Sequence, residues 1–257
     1  MLFVISPAKS LDYDTPPHVP TVTQPRFAER ALPLIERLRE LSPQAVGELM
    51  SISDKLAVLN VGRYAEWDVE HTPAVAKQAV LAFDGDVYDG LSAATLSAAD
   101  LDWAQDRLRI LSGLYGALRP LDLLRPYRLE MGTKLVNPAG KDLYAYWGDS
   151  VTASLREELA NDPHPVLINL ASEEYFKVVR RPQLGARIVD CVFEDWKGGK
   201  WKIISFHAKR ARGLMVRYAI ESRVKTPSAL TGFAAEGYAY AEAESTPDRL
   251  VFRRREA

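Results

Sequence analysis

The sequence predicts one compact domain of mixed α/β (α+β) class, in which a mixed central sheet is flanked by helices. The chain has 257 residues, 47% of them hydrophobic and 26% charged, which is enough material for one large core. Short apolar runs alternate with segments of helical periodicity, a pattern typical of crossover units in a partly parallel sheet. Two hairpin patterns near the end indicate antiparallel strands as well. We therefore expect a single domain over residues 1–257.

The first half of the chain is predicted to be mainly helical. It opens with a short buried strand over residues 2–5 and a proline-rich surface loop that reaches Pro25. Apolar residues at helical spacing and serine or threonine caps, several followed by proline, then predict a series of helices. These cover residues 27–41, with Pro33 inside, 43–50 after Ser42, 54–67 after Ser53, 75–83 after Thr72-Pro73, and 101–105 after Ser97 with Asp100.

The second half is predicted to contain most of the sheet. Apolar runs at residues 108–111 and 166–170 are typical of central strands, and a helix over residues 143–159 between them completes a crossover unit. Residues 187–193 and 201–206 are predicted to form a hairpin about Gly198-Gly199, followed by a helix from residue 208 to about 223. Residues 238–243 and 250–253 predict a second hairpin.

The cysteine content, the first residues and the length of the apolar runs indicate the cellular compartment. Cys191 is the only cysteine and lies in an alternating apolar run, which excludes a disulfide within the chain and favours a buried thiol over a reactive one. The first residues lack the charged region of a signal peptide, and no apolar run is long enough to cross a bilayer. We expect a cytoplasmic protein with no membrane partner.

Charge is unevenly distributed along the chain. The net charge is only −1, yet residues 196–225 contain nine basic residues and one acidic residue. This segment therefore carries +8, and the rest of the chain carries about −9. The imbalance predicts a basic cleft that receives an anionic partner, with DNA as the leading candidate.

Residues 42–67 predict a helix-hairpin-helix-like element. Its turn, Ser51-Ile52-Ser53, has the small-hydrophobic-small pattern that presents backbone N–H groups to a phosphate, with Lys55 close by. Glycines usually occupy the small positions because they allow a close backbone approach, and here both are serine. An ordinary capped helical hairpin remains the alternative interpretation.

Three predicted strands end in small and polar residues. The strand at residues 2–5 is followed by Ser6 and Lys9, the strand at 108–111 by Ser112, and the strand at 166–170 by a segment that contains Glu174, Tyr175 and Lys177. If these strands are neighbours, their carboxyl ends open onto one crevice, where open α/β sheets usually bind ligands. Small residues that merely form tight turns are the alternative.

Two further segments are rich in arginine and lysine. Arg119, Arg125 and Arg128 lie among prolines that stiffen the backbone, which suits bidentate phosphate contacts, although Asp122 and Glu130 are close enough to pair with them instead. The predicted helix from residue 208 begins with a cationic turn, Lys209, Arg210 and Arg212, against the preference of the helix dipole. This placement favours a functional role over a solvated face.

Catalytic and metal motifs are absent from the sequence. The four histidines are scattered, no zinc-like cysteine pair exists, and neither a P-loop nor a dinucleotide glycine pattern occurs. We expect no metal and no cofactor. If the protein is an enzyme, Glu130, Glu174 and Tyr175 are the candidates for acid-base chemistry.

Eight sequence blocks occur in order over nearly the whole chain: ISPAK at residues 5–9, AFDGDVY at 82–88, LRILSGLYG at 108–116, RPLD at 119–122, PYRLEMGT at 126–133, NLAS at 169–172, EYFK at 174–177 and AKRARG at 208–213. Taken together, these blocks resemble the YaaA family of bacterial peroxide stress proteins. The resemblance implies a role in resisting hydrogen peroxide, associated with limiting free intracellular iron and Fenton damage. It also implies a compact α/β fold with a positively charged cleft and a helix-hairpin-helix, and binding to double-stranded or branched DNA.

Two hypotheses of different classes follow from the sequence. The first is a DNA-binding stress protein that holds one phosphate at the Ser51–Ser53 turn and others in a cleft. Its cleft would be built from Lys9, Arg119, Arg125, Arg128, Lys177, Lys209, Arg210 and Arg212. The second is an enzyme that acts on a nucleotide or a similar small anion in the same crevice. An iron-handling protein with a carboxylate-rich site is a third, weaker alternative.

Overall fold

The computed structural model describes residues 1–255, so the last two residues of the predicted domain lie outside the described residues. Its strands, in chain order, are β1 (Leu2–Ile5), β2 (Ser10–Leu11), β3 (Lys77–Gln78), β4 (Phe83–Asp84), β5 (Leu108–Ser112), β6 (Gly116–Leu118), β7 (Leu123–Leu124), β8 (Val166–Leu170), β9 (Arg187–Lys197), β10 (Lys200–Lys202), β11 (Ala239–Tyr240) and β12 (Arg249–Arg254). Eight of these strands form one central sheet.

The helices cover both halves of the chain. In order they are α1 (Ala28–Arg39), α2 (Pro43–Met50), α3 (Asp54–Glu66), α4 (Ala79–Ala82), α5 (Asp86–Leu91), α6 (Ala98–Arg107), α7 (Leu143–Trp147), α8 (Ser150–Leu159), α9 (Glu173–Phe176), α10 (Arg181–Leu184) and α11 (Ser205–Glu221). Three short 3-10 helices lie at Ala93–Thr95, Pro227–Gly232 and Glu242–Glu244. None of the helices within residues 1–255 is both long enough and apolar enough to cross a bilayer.

The central sheet is mixed, as the sequence predicts. Its order is β11-β12-β9-β8-β1-β5-β6, and β10 pairs with the far end of β9. The five strands β12, β9, β8, β1 and β5 are parallel, whereas β6, β10 and β11 are antiparallel to their neighbours. β1 and β5 are buried along their whole length because the sheet is covered on both faces. The predicted mixed α/β class with flanking helices is therefore confirmed.

The N-caps foreseen in the sequence explain where two helices begin. The Ser42 side chain accepts a hydrogen bond from the Ala45 N–H at 3.2 Å, so α2 begins at Pro43. At the start of α6 the side chains of Ser97 and Asp100 form a reciprocal capping box. These local side-chain bonds satisfy amides that have no partner within the helix.

The predicted helix over residues 75–83 is wrong. The segment forms the short strand β3 and only four residues of helix, α4. The reason is tertiary: the buried Lys77 ammonium donates to the carbonyls of Asp12 and Thr15, at 2.8 and 2.7 Å, and the Gln78 amide donates to carbonyls of the same proline-rich loop. Long-range bonds of these two side chains override the local periodicity.

Two other predicted boundaries also need correction. The helix predicted over residues 143–159 is divided into α7 and α8 at Gly148, which has a φ of 48°. Helix α11 begins at Ser205 rather than residue 208, and β10 ends at Lys202 rather than residue 206. Lys209 and Arg210 consequently lie in the second turn of α11, not its first, so the argument from an unfavourable helix dipole no longer applies to them.

Candidate functional site

Three strand ends that carry polar residues meet at one edge of the sheet. β8, β1 and β5 are adjacent and parallel, so the condition for their ends to share one edge is met. The Ser172 N–H donates to Ser6 Oγ at 2.9 Å and joins the ends of β8 and β1. Beside them, Ser112 Oγ at the end of β5 lies 2.6 Å from the hydroxyl of Tyr127. The arginine segment is thus brought to the carboxyl ends of the strands.

A cluster of charged and polar groups lies at this edge, and we call Lys9, Arg128, Glu130 and the neighbouring Tyr175 the strand-end cluster. Glu130 Oε1 is 3.0 Å from both Lys9 Nζ and Arg128 Nη2. Lys9 is exposed, whereas the side chains of Arg128 and Glu130 are largely buried. Arg128 Nε is sealed from solvent and makes no hydrogen bond within residues 1–255. Glu130 therefore satisfies the two cations only in part.

Tyr175 of this cluster and the nearby Tyr127 are held in the protonated form. Burial raises the pKa of Tyr175 and of Tyr127, and neighbouring carboxylates reinforce the shift. At neutral pH these hydroxyls are hydrogen-bond donors rather than bases. Glu174, the third acid-base candidate, is tied to the loop after β7, because its Oε1 accepts the Gly132 N–H at 2.9 Å.

Arg119 and Arg125 are engaged within the protein. Arg119 Nη2 is 3.0 Å from Oδ1 of the buried Asp122, and Arg125 donates to the carbonyls of Glu66 and Glu70 at 2.9 and 2.8 Å. Burial raises the pKa of Asp122, and the hydrogen bonds from Thr23 and Arg119 oppose the rise. The geometry favours the structural ion-pair alternative for Arg119.

The turn between α2 and α3 has three residues, and its serines and Lys55 are exposed, while Ile52 packs against the core. Ser51 adopts the left-handed conformation, with φ 52° and ψ 53°, that glycine adopts most easily. Ser53 precedes α3 but its side chain makes no capping bond. The amides of residues 54–56 have no acceptor within residues 1–255.

Helix α3 is anchored to the arginine segment. Tyr64, which is buried on α3, donates its hydroxyl to the carbonyl of Arg128 at 2.5 Å. The outer face of α3 is unusually apolar: Val58 is 60% exposed and Leu59 47% exposed. The bond between Tyr64 and the Arg128 carbonyl fixes the position of α3, and the turn that precedes this helix is exposed to solvent.

Lys209 and Arg210 both face carboxylates. Arg210 forms a bidentate pair with Glu236, with N–O distances from 2.6 to 3.0 Å, and this pairing raises the pKa of Arg210 and lowers that of Glu236. Lys209 Nζ lies 3.9 Å from Asp86. An anion at this place would have to compete with these acidic side chains.

Lys177 and Arg212 border a cavity of about 700 Å³ beside the end of β8. Arg212 makes no hydrogen bond or ion pair within residues 1–255, and Lys177 lies 4.8 Å from the ring of Tyr144 without a carboxylate partner in the same range. Cys191 also lines the cavity; burial raises its pKa to about 12, so the predicted buried thiol is confirmed and stays protonated.

Three lysines that are not among the predicted site residues are exposed and unpaired within the described part of the chain, whereas most of the predicted cations have partners within the protein. Lys197, Lys200 and Lys202 lie on the β9–β10 hairpin, are exposed, and have no carboxylate partner among residues 1–255. Trp196 on the same hairpin is 38% exposed. The signal was present as the basic excess of residues 196–225, but the pairing of each cation becomes visible only in the folded chain.

The structure thus places the nominated residues in separate groups rather than in one demonstrated cleft. Lys9, Arg128, Glu130 and Tyr175 lie together, and the remaining residues occur as the α2–α3 turn, the Arg119 and Arg125 pairs, the Lys209 and Arg210 face, and the cavity of Lys177 and Arg212. Within residues 1–255 there is no group of three or more histidine, cysteine or acidic side chains that could hold a metal ion.

Comparison with known proteins assigns the chain to a family. A family model described as peroxide stress protein YaaA matches residues 1–244. The chain is 66% identical over 257 residues to a UPF0246 protein of Ralstonia nicotianae, with all of both chains covered, and 65% identical over 258 residues to one of Cupriavidus pinatubonensis, with 99% of each covered. A UPF0246 protein of Bordetella pertussis is 61% identical over 257 residues, again with both chains fully covered. The chain therefore belongs to the peroxide stress protein YaaA family.

Proposed function

We propose that this protein acts in resistance to hydrogen peroxide by binding double-stranded or branched DNA through contacts to the phosphate backbone. Family membership supports the peroxide role. DNA is the partner because the exposed cations and backbone amides suit a repeated anion, and such contacts recognise shape and charge rather than base sequence.

The observation that carries the proposal is the uncapped start of α3. The amides of residues 54–56 point out of the first turn without an acceptor, and the preceding Ser53 side chain leaves them free. The N-terminal end of a helix carries partial positive charge, so a phosphate placed there gains both hydrogen bonds and a favourable dipole. Left-handed Ser51 produces the sharp turn that exposes this end.

Cations around the molecule supply the remaining contacts of the proposal. Lys55 follows the turn directly, Lys9 is the exposed member of the strand-end cluster, and the three lysines of the β9–β10 hairpin are available without breaking an ion pair. Arg210 contributes less, because a phosphate must first displace Glu236. Binding is accordingly expected to be electrostatic and sensitive to salt.

The cellular outcome that we propose is reduced Fenton damage, together with a lower level of free intracellular iron. Its test is the free iron signal, by electron paramagnetic resonance of whole cells, in a deletion strain exposed to peroxide. The proposal expects a higher signal in the deletion strain, restored by the wild-type protein. An unchanged signal would contradict the proposed effect on free iron and would not bear on DNA binding, which is tested separately.

Asp54 allows the amide contact to be tested directly. Asp54→Pro removes one amide donor at the first position of α3, where proline is accepted and where the extended backbone of Ser53 suits a following proline. Asp54→Ala is the matched control, because it removes the same carboxylate and keeps the amide. We expect duplex affinity, measured by fluorescence anisotropy, to be about 5-fold to 10-fold weaker in Asp54→Pro than in Asp54→Ala.

Equal affinities of these two variants, with both folded by circular dichroism, would show that the α3 amides do not contact DNA. A gain in affinity of Asp54→Ala over the wild type is expected as well, since a negative charge near the phosphate is removed. Absence of that gain would also count against a phosphate at this turn.

The strand-end cluster favours a second candidate, an enzyme that acts on a nucleotide or a similar small anion. Its groups lie at the carboxyl ends of three parallel strands, and Glu130 is ordered by two cations. Turnover of a nucleotide that disappears in Glu130→Gln, without any binding of DNA, would favour this candidate over the first.

A further inference from the structure

The cavity beside the end of β8 has the size and lining of a small-molecule site. Its volume of about 700 Å³ lies within the range of sites that hold ligands of nucleotide size. Apolar side chains form part of its wall, among them Phe176, Val179 and Pro182, and charged side chains, Arg212 among them, form another part. It differs from the surfaces proposed for DNA because its central cation is recessed rather than exposed.

Arg212 is the group that requires explanation. It projects from α11, its Nε is sealed from solvent, and it has neither an acceptor nor a carboxylate partner within residues 1–255. Burial disfavours the charged form of Arg212 and so lowers its pKa. An unpaired, desolvated guanidinium costs stability, and a bound anion would remove that cost.

The other charges of the cavity leave room for an anion. Arg181 and Asp190 neutralise each other at 2.8 Å, and Asp190 also accepts a hydrogen bond from Asn169. Lys177, on the rim, has no carboxylate partner in residues 1–255. Arg249 and Glu173, which also line the cavity, form no ion pair within residues 1–255. Together with Arg212 and Lys177 they leave a net charge of +2, which suits a doubly charged group.

We propose that this cavity binds the phosphate group of a small molecule, with Arg212 donating to it from the floor and Lys177 from the rim. A phosphate matches the guanidinium fork and, unlike a single carboxylate, carries enough charge to neutralise both cations. The group has two sources, inorganic phosphate and an organic phosphate monoester. The apolar wall of Phe176 and Pro182 provides a surface for the organic part of a monoester.

Thermal unfolding with defined probes tests the site. Inorganic phosphate, adenosine monophosphate and adenosine are each added at 10 mM, at an ionic strength matched with sodium chloride. We expect inorganic phosphate to raise the Tm of the wild type by about 3 °C at roughly ten times its Kd, and adenosine to have no effect. A larger shift with adenosine monophosphate identifies the monoester as the preferred source, and an equal or smaller one identifies inorganic phosphate.

Arg212→Met is the decisive variant, because it keeps the length of the side chain and removes the unpaired charge. Without ligand its Tm should be above that of the wild type, and the response to phosphate should be lost. Arg181→Met is the matched control: it removes a cation from the same cavity, but one already paired with Asp190, and should retain at least half of the phosphate response. Lys177→Gln, at an exposed position, should weaken phosphate binding about 5-fold.

No shift with either phosphate probe would overturn the proposal, as would a shift that persists in Arg212→Met or disappears equally in Arg181→Met. If Arg212→Met does not fold, the exposed Lys177→Gln variant decides by the same readout, and unchanged phosphate binding there overturns the assignment. Duplex affinity of the wild type is measured in parallel. A wild-type protein that binds DNA but shows no phosphate response sinks this inference alone, whereas a wild-type protein that responds to phosphate but does not bind DNA sinks the proposed function alone.

Discussion

Tyr115 is the residue on which several buried hydrogen bonds converge. Its hydroxyl accepts from Trp67 Nε1 at 2.8 Å and from the Arg125 N–H at 3.3 Å, and lies 2.8 Å from Nε2 of His71. Nδ1 of His71 is 2.8 Å from the carbonyl of Val69. A carbonyl can only accept, so Nδ1 carries the proton and Nε2 accepts from Tyr115. The network therefore requires neutral His71.

His71 should make stability depend on pH. Burial lowers the pKa of His71 below its ordinary value of 6.5, so the unfolded chain binds a proton at a higher pH than the folded chain. The contribution of this group is complete above pH 6.5 and declines as pH falls below it. We expect the free energy of unfolding in urea to fall between pH 7.5 and 5.5, and to fall less in His71→Gln.

The exposed His164→Asn variant is the control for general histidine titration and should follow the wild type. Parallel pH profiles of the wild type and His71→Gln would contradict a neutral, buried His71.

Single residues differ in how much of their role the sequence discloses. The caps at Ser42 and Ser97 were predictable because both partners lie within one turn. The ion pair of Arg210 could not be predicted, because its partner Glu236 is distant in sequence and the fold brings the two together. Nor could the sequence predict that Arg212 has no carboxylate partner within residues 1–255, because no sequence pattern shows that a side chain is unpaired.

At the scale of elements, the contact between α5 and α11 depends on two glycines. A Cβ built on Gly213 would lie 1.8 Å from the Val87 carbonyl oxygen, and one on Gly90 would lie 2.2 Å from that of Arg210. The helices therefore pack backbone against backbone, and neither backbone can move away as a side chain could. This contact fixes α11, and with it the position of Arg212.

Gly213→Ala should consequently lower the free energy of unfolding by about 2–3 kcal/mol, because α5 and α11 must separate to admit a methyl group. Gly62→Ala is the matched control: it is also a helical glycine, in α3, but a Cβ there meets nothing within 4 Å. That variant should gain about 0.5–1 kcal/mol from helix propensity. Urea unfolding measures both, and a neutral Gly213→Ala would contradict the close packing.

Elements were predictable where local pattern and fold agree. Helices α1, α2, α3 and α6 and strands β1, β5 and β8 follow their hydrophobic periodicity and caps. The segment at residues 75–83 does not, because Lys77 and Gln78 serve the proline-rich loop, and α7 ends at Gly148. In both segments, the hydrogen bonds or the backbone conformation of one or two residues override an otherwise helical pattern.

At the scale of the whole molecule, sheet order decides which polar residues meet. The sequence predicted that three strand ends would share an edge if the strands were adjacent, and they are. The parallel insertion of β12 between β9 and β11 was not foreseen, because the hairpin pattern specifies only its antiparallel partner. Likewise the +8 segment indicated where cations are concentrated, but Lys209 and Arg210 face carboxylates, whereas the hairpin lysines, like Arg212, have no carboxylate partner among residues 1–255.

The central claim is that the protein binds DNA through its phosphates, and the salt dependence of affinity tests it most directly. Anisotropy titrations of a duplex and a four-way junction should give a linear fall of log affinity with log salt concentration, with each phosphate contact adding about −0.9 to the slope. Replacement of Lys197, Lys200 and Lys202 by glutamine should make the slope shallower by about 2–3, whereas Lys225→Gln, outside the hairpin, should change it by less than one. Binding that is absent, or that does not weaken as salt rises, would contradict the claim.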